Sequence, residues 1–268
     1  MRVGCFDPTG SRPDMRPLAD LLICLRFFSR LPVPSTARER NLGANGFVAA
    51  AAMSPVAGVI VAALPALVLC AARGCALPAA VRAVLALAAL AAVTGALHED
   101  ALADCADGLG GRGRQRKLDI MRDSRIGAFG ATALVFSVLL RAVALTAAVD
   151  QGRGVVAVFL SACLSRTACL LPLAILPPAR SDGLGASAAR PVASAVIGAG
   201  ALAVVIVALC LPFGLGAGRA SAAILAAASL SLLTCVLAHW QIGGQTGDVA
   251  GAAQQLVEIA VLIVFSAA

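Results

Sequence analysis

The chain has 268 residues; 60% are hydrophobic and 13% charged, where soluble domains average about 45–50% and about 25%. These figures exclude a disordered chain, a coiled coil, a collagen and a secreted disulfide scaffold. The net charge of +7 has no soluble basic face to act on, so nucleic acid is not an expected partner; the lipid bilayer is. The composition predicts an all-α fold, a polytopic integral membrane helical bundle. The nine cysteines include no CxxC pair and most sit in apolar stretches. Neither disulfides nor a cysteine-based zinc site is expected.

Residues 1–17 read as a poorly ordered extension with no signal-peptide pattern, and Met15 offers a second start. Leu18–Leu31 is amphipathic and too short to span; it is expected to lie in the interface or dock into the bundle. A span needs about 20 apolar residues. Six stretches qualify, at 47–72, 77–97, 126–149, 155–178, 192–214 and 220–242. A seventh, 249–268, is interrupted by Glu258. The expectation is therefore six to seven transmembrane helices and no internal repeat.

Basic residues orient the chain. With the N-terminus cytoplasmic, 15 of the 21 lie in inner segments (1–46, 98–125 and 179–191). Only Arg73, Arg153 and Arg219 lie in the outer turns. Arg82, Arg141 and Arg166 fall within spans.

Six of the 14 acids sit between Glu99 and Asp123. At about 100° per helical residue, Asp100, Asp104 and Asp107 fall within about 60° of arc. Like charges at that spacing repel, and a cation would relieve them. After Gly108-Leu109-Gly110-Gly111-Arg112-Gly113, a second helix carries Asp119 and Asp123. Antiparallel neighbours joined by so short a turn would bring the two acidic faces together. Clustered carboxylates suit magnesium or manganese. Arg112, Arg114, Arg116, Lys117, Arg122 and Arg125 surround them, as phosphoryl transfer requires, although a solvated loop obeying the positive-inside rule has the same look.

Gly243-Gly244-Gln245-Thr246-Gly247-Asp248 reads as a phosphate-cradling turn or as a plain connector. Arg166 lies deep in a span and should pair with an acid or reach an anionic substrate; Arg141 is a candidate structural partner. His98 is a candidate general base or metal ligand, or a helix-end hydrogen-bonder. His239 and Trp240 read as an interfacial anchor.

The run Thr94-Gly95-Ala96-Leu97-His98-Glu99-Asp100-Ala101-Leu102-Ala103-Asp104-Cys105-Ala106-Asp107-Gly108 resembles the signature of the cobalamin synthase family, the adenosylcobinamide-GDP ribazoletransferases. The likeness continues through Asp119-Ile120-Met121-Arg122-Asp123-Ser124-Arg125 and on to Gly130. It recurs in Arg26–Pro34, Ser165-Arg166, Gly183-Leu184-Gly185 and Gly244–Ala252, so it runs from about Leu18 to the C-terminus. Ala101 stands where the family usually has glycine, and the stretch around Met53-Ser54-Pro55 is only loosely family-like.

The resemblance implies a multi-pass enzyme of the bacterial inner membrane, magnesium-dependent, with one catalytic domain over 18–268 and its site facing the cytoplasm. It implies attack of the 5′-hydroxyl of α-ribazole, or of its 5′-phosphate, on adenosylcobinamide-GDP. Adenosylcobalamin or its phosphate forms and GMP leaves. On that reading Asp100, Asp104, Asp107 and Asp123 hold metal. Asp104, Asp119 and His98 are the catalytic candidates. Arg112, Arg122, Arg125, Arg166, Gly244, Thr246 and Asp248 bind substrate. The oligomeric state, a homo-oligomer included, stays open.

Two alternatives remain. Asp104-x2-Asp107-Gly108-x2-Gly111-Arg112 followed by Asp119-x3-Asp123 is similar to the CDP-alcohol phosphotransferases of phospholipid synthesis, but only six residues separate Arg112 from Asp119. A divalent-cation transporter would place its acids near the bilayer midplane on broken helices, whereas these are expected beyond the ends of the spans.

Overall fold

The computed structural model describes residues 16–180, 191–213 and 215–267. Gly183-Leu184-Gly185 lies outside the described residues. The helices are α1 (Arg16–Phe28), α2 (Ala37–Leu42), α3 (Gly46–Ala50), α4 (Ser54–Val61) and α5 (Ala63–Gly74). There follow α6 (Ala79–Thr94), α7 (Leu97–Leu109), α8 (Arg114–Ile120), α9 (Ala128–Asp150), α10 (Gly154–Ala168) and α11 (Leu170–Ile175). The chain ends with α12 (Ala193–Leu209), α13 (Ala217–Ile242) and α14 (Gly247–Ser266). Among the described residues the β pairing is a single isolated parallel bridge, Pro178 to Gln245.

Five helical stretches are long and apolar enough to cross a bilayer: Gly46–Gly74, Ala128–Asp150, Gly154–Ile175, Ala217–Ile242 and Gly247–Ser266. A sixth crossing arises if the bent pair α6–α7 counts as one. α12 is apolar but has 17 residues, about 26 Å of helix against about 30 Å of hydrocarbon. The chain is therefore a multi-pass membrane protein.

α14, the stretch interrupted by Glu258, is the centre of the bundle. It packs against α7, α9, α10 and α13, and Val257, Val261, Leu262 and Phe265 lie in the main core beside α10 residues Leu160, Cys163 and Leu164. α1 docks into the bundle: Ile23, Cys24, Leu25 and Phe28 are buried with Ala57, Leu90 and Val93. The helix begins at Arg16, so it takes in Arg16 and Pro17.

The two ends of the bundle differ. At one, Gln151 donates to the carbonyl of Ser266 (2.8 Å), and Arg153 and Arg219 donate to that of Ala267 (2.7 and 3.2 Å). These side chains satisfy carbonyls that the last turn of α14 leaves without helical partners. At the other end, Gln245 N–H donates to Pro177 O and Ala179 N–H to Gln245 O, both 2.8 Å. Arg114 donates to Ala179 O (3.1 Å), and Lys117 donates to Gln241. The basic residues Arg114 and Lys117 thus share one end with 177–179 and the 241–245 turn, and the cation-poor turns at Arg153 and Arg219 share the other.

Close packing here depends on small residues, as in other membrane bundles. A Cβ on Gly58 of α4 would lie 2.4 Å from the Ala162 carbonyl of α10. Gly58→Val should separate those helices and lower stability by about 1–3 kcal/mol. Thermal unfolding of the detergent-solubilised protein measures this, and an unchanged midpoint would contradict the α4–α10 contact.

Candidate active site

The site begins at a break. Gly95 has φ +65°, and Ala96 follows at φ +54°, a left-handed conformation unusual for alanine. Two such residues stop α6, and α7 departs at 88° to it. Gly95 is also required for space, because a Cβ there would meet Arg30 Nε at 2.6 Å. Arg30 N–H donates to Val93 O (2.7 Å), fastening the segment after α1 beside the break.

α7 is amphipathic. His98, Ala101, Leu102 and Cys105 are buried against the bundle, while Asp100 is exposed and Asp104 and Asp107 are partly so. The carboxylate stripe is thus on the open face. Glu99 reaches Arg141 at 2.9 Å, more than three turns into α9, while Asp107 meets the start of α9. α7 therefore runs antiparallel beside the first half of α9. Glu99 and Asp100 thus lie alongside α9 and not beyond its end, contrary to expectation, while Asp107 stays at its start; the bend at Gly95–Ala96 is the cause.

Asp107 has a definite structural task. Its two carboxylate oxygens accept from Gly127 N–H (2.7 Å) and Gly130 N–H (2.8 Å), capping α9 from another helix. A Cβ on Gly130 would lie 2.2 Å from Asp107 Oδ2, so glycine is what lets α9 come this close. Asp107 is engaged as a cap in this structure rather than held open as a metal ligand. Asp107→Ala should cost about 1–2 kcal/mol, as loss of an N-cap does; a thermal midpoint equal to that of the parent would contradict the capping role.

Asp104 is the perturbed carboxylate. Partial burial, then the nearby charges of Asp100, Asp248 and Asp107, push its pKa up to about 6, with Arg180 opposing. Asp248 comes from the first turn of α14 and pairs with Arg180. The partner of the α7 stripe is therefore Asp248 and Arg180, not the second acidic helix as expected. Asp119 and Asp123 are not among the chief influences on Asp104. Asp119 accepts from Gln115 on its own helix (3.0 Å). Asp123 is bound to the Arg125 guanidinium (2.6 Å), which holds its carboxyl at about 2. The short turn does bring α8 against α7, but through Leu118, Met121, Leu102 and Cys105.

Other expected site residues fall elsewhere. His98 is 3% exposed, about 160° around α7 from Asp100, and its ring stacks on Phe28 at 5.9 Å. It faces the interior and not the acidic stripe, so it is neither ligand nor base there. Arg166 is 1% exposed and donates to Glu258 (3.1 Å), so it is a structural cation and not a substrate-binding one. Arg141 likewise pairs with Glu99 and Glu258. Thr246 is the N-cap of α14, accepting from Val249 N–H (3.2 Å) and donating to Asp248 Oδ2 (3.1 Å). Gly244 lies where a Cβ would be 2.2 Å from Pro177 O. With the Gln245 amide already given to Pro177, this turn is braced against 177–179 and is not an open phosphate cradle. Arg112, Arg122 and Arg125 are exposed at the same end.

Sequence reasoning gave no role to Arg180 and none to Glu99 and Glu258 beyond their charge. For Glu258 there was a signal: one acid in a span, set against the three span arginines Arg82, Arg141 and Arg166.

The donor set suits a hard divalent cation. Its oxygens are carboxylates, and their mutual repulsion at Asp104 is the condition a cation relieves. Among the described residues no three acidic, histidine or cysteine side chains converge closely enough to ligate one ion as they stand.

Residues 20–266 match the family described as Cobalamin-5-phosphate synthase, CobS. The chain belongs to the CobS family. It is 45% identical over 255 residues to a protein of Azorhizobium caulinodans, covering 92% of this chain and 95% of that one. Identity is 44% to a protein of Mesorhizobium japonicum, with 94% of each chain covered. For one of Bradyrhizobium diazoefficiens it is 43%, covering 93% and 94%. All three bear the name adenosylcobinamide-GDP ribazoletransferase. No solved structure matches. Within this CobS chain the unusual Ala101 has a local counterpart: a Cβ on Gly251 of α14 would lie 2.4 Å from the Ala101 Cβ, so the methyl on α7 is accommodated by a bare backbone on α14.

The raised pKa of Asp104 has a signed consequence. Its folded value lies above the ordinary 3.8, so the ionised carboxylate opposes folding as pH rises through about 6 and has no such effect below about 4. Asp104→Asn should unfold at a higher temperature than the parent at pH 8, with the gap closing towards pH 4. A variant less stable than the parent at pH 8 would contradict this electrostatic picture.

Proposed function

We propose that this chain is the transferase of nucleotide-loop assembly in cobalamin biosynthesis. It passes the adenosylcobinamide-phosphate group of adenosylcobinamide-GDP to a free ribose hydroxyl of α-ribazole or of α-ribazole 5′-phosphate; because the 5′-oxygen of the latter is already esterified, the acceptor common to both is a hydroxyl other than the 5′-hydroxyl. The products are adenosylcobalamin, or its 5′-phosphate, and GMP. The bond formed is from that free ribose hydroxyl oxygen to the phosphorus attached to cobinamide, with loss of the hydroxyl proton; the bond broken joins that phosphorus to the bridging oxygen, which leaves with GMP.

The observation that carries this reading is the meeting of Asp100, Asp104 and Asp248 beside Arg180, at the end of a membrane bundle that also carries Arg112, Arg122 and Arg125. Carboxylates and guanidinium groups together are what a diphosphate substrate demands. Asp100, Asp104 and Asp248 are the residues that would hold magnesium, which when bound supplies charge neutralisation to the diphosphate. Arg180 takes the place first assigned to Arg166 and, with Arg112, Arg122 and Arg125, binds phosphate oxygens. Asp119, exposed on α8 and accepting from Gln115 of its own helix, is the proposed acceptor of the hydroxyl proton. Asp107 and Thr246 set the starts of α9 and α14 and so the geometry around these groups.

The enzyme is placed in the bacterial inner membrane with this end towards the cytoplasm. The support is the distribution of basic residues, 15 against 3. Neither alternative gains support. The CDP-alcohol likeness rested on the spacing of Asp104, Asp107, Gly108, Gly111 and Arg112 with Asp119 and Asp123, and the relatives this chain matches carry the ribazoletransferase name instead. Transport draws nothing from the family to which the chain belongs.

The test is a transferase assay in detergent or liposomes with adenosylcobinamide-GDP, α-ribazole and magnesium, following GMP release and cobalamin formation. Parent protein should form product only with magnesium, and Asp104→Asn should lose at least about 100-fold in rate. Full activity of Asp104→Asn, or turnover undiminished by chelator, would overturn the proposed site.

A further inference from the structure

We infer that Glu99, Arg141 and Glu258 are positioning residues that fix the rotation of α7 and so the placement of Asp100 and Asp104. This rests on the transferase reading above for its consequence, though not for its geometry.

Arg141 Nη1 donates to Glu99 Oε1 at 2.9 Å and to Glu258 Oε1 at 3.1 Å. Arg166 Nη1 donates to Glu258 Oε2 at 3.1 Å. Gln254 Nε2 donates to the same oxygen at 2.8 Å and to Ser165 Oγ at 3.0 Å. Two cations and two anions balance, and they come from α7, α9, α10 and α14. Stability alone does not call for this: apolar groups of similar volume in place of a buried ion network are often neutral or stabilising. What charged groups add is direction, because each of these ion pairs is also a charge-assisted hydrogen bond with a preferred angle.

α7 needs that direction. Its remaining contacts with α14 are small and smooth, Ala101 on Gly251 and Leu102 and Cys105 near Val249 and Ala252. Such a surface resists rotation little, and the other directional tie of α7, the Asp107 cap on Gly127 and Gly130, lies near its C-terminal end, so Glu99 fixes the end that carries Asp100. Among the described ion pairs, Glu99 to Arg141 is the one that ties α7 to the spans. At a helix radius of about 5–6 Å, a turn of about 20° moves a side chain by about 2 Å. An error of that size in placing a catalytic carboxylate costs on the order of 100-fold.

The test compares the parent, Glu99→Gln, and the charge-balanced double variant Glu99→Gln with Arg141→Gln. Readouts are thermal midpoint, amide hydrogen exchange of the α7 segment, and the magnesium concentration for half-maximal activity. The double variant should unfold within a few degrees of the parent. Its α7 amides should exchange at least about tenfold faster while those of α10 and α14 do not, and its magnesium requirement should rise at least about tenfold. If the double variant fails to fold, Glu99→Asp, which keeps the charge but draws the carboxylate back by one methylene, carries the same measurements. Parent-like α7 exchange together with a parent-like magnesium requirement would overturn the inference. A parent protein with no transferase activity would defeat the functional reading instead, and α7 exchange would still decide whether the tether exists.

Discussion

A carboxylate in an apolar bundle must find cations, and Glu258 finds two. Arg141 and Arg166 reach it from different helices, each at 3.1 Å. An unpaired charge at that depth would cost at least about 2.5 kcal/mol. The pairing therefore dictates which helices surround α14. It places α9 and α10 against it with those two positions facing inwards. Through Glu99 it also draws in α7, which crosses no bilayer by itself. The end of the bundle is built on that arrangement.

From there the acidic site follows by geometry. With Glu99 held at the level of Arg141, the stripe of Asp100, Asp104 and Asp107 must run towards the starts of α9 and α14. Asp107 arrives at the amides of Gly127 and Gly130 and caps them. Asp104 arrives near Asp248 and is left carrying the repulsion. One acidic stripe thus divides into an anchor, Asp107, and a carboxylate left under repulsion, Asp104. The division depends on Gly127 and Gly130, whose bare backbones admit Asp107.

Much of the fold was legible in the residues. Long apolar runs mark the spans because nothing else covers backbone polar groups in lipid. The basic residues separate the two ends, and the structure gathers the cation-poor turns around Ser266 and Ala267. The carboxylate stripe is legible from helical periodicity alone. The tertiary partners are not. Local pattern suggests that a short glycine turn returns α8's acids to α7; in fact Gln115 and Arg125 occupy them within their own segment. Gly244 and Thr246 look like a phosphate turn, yet the competing structural uses, an N-cap and a pairing with Pro177 some 68 positions earlier, are invisible locally. His98 sits within the signature but on the wrong side of the helix, which a wheel drawn from Asp100 shows. Arg180 carried no pattern at all. The resemblance pointed to the acidic segment, and the structure shows that Asp107 serves as a brace while Asp104 lies near Asp100 and Asp248.

The central claim is that the metal-holding acids are those of α7 and α14 and that Asp123 is not one of them. Direct binding of manganese, read by electron paramagnetic resonance on the solubilised protein, tests it without any substrate. Binding should weaken by at least about tenfold in Asp104→Asn and Asp248→Asn, and stay at the parent level in Asp123→Asn. Loss of binding in Asp123→Asn with retention in Asp248→Asn would contradict it and return the site to the α7–α8 turn.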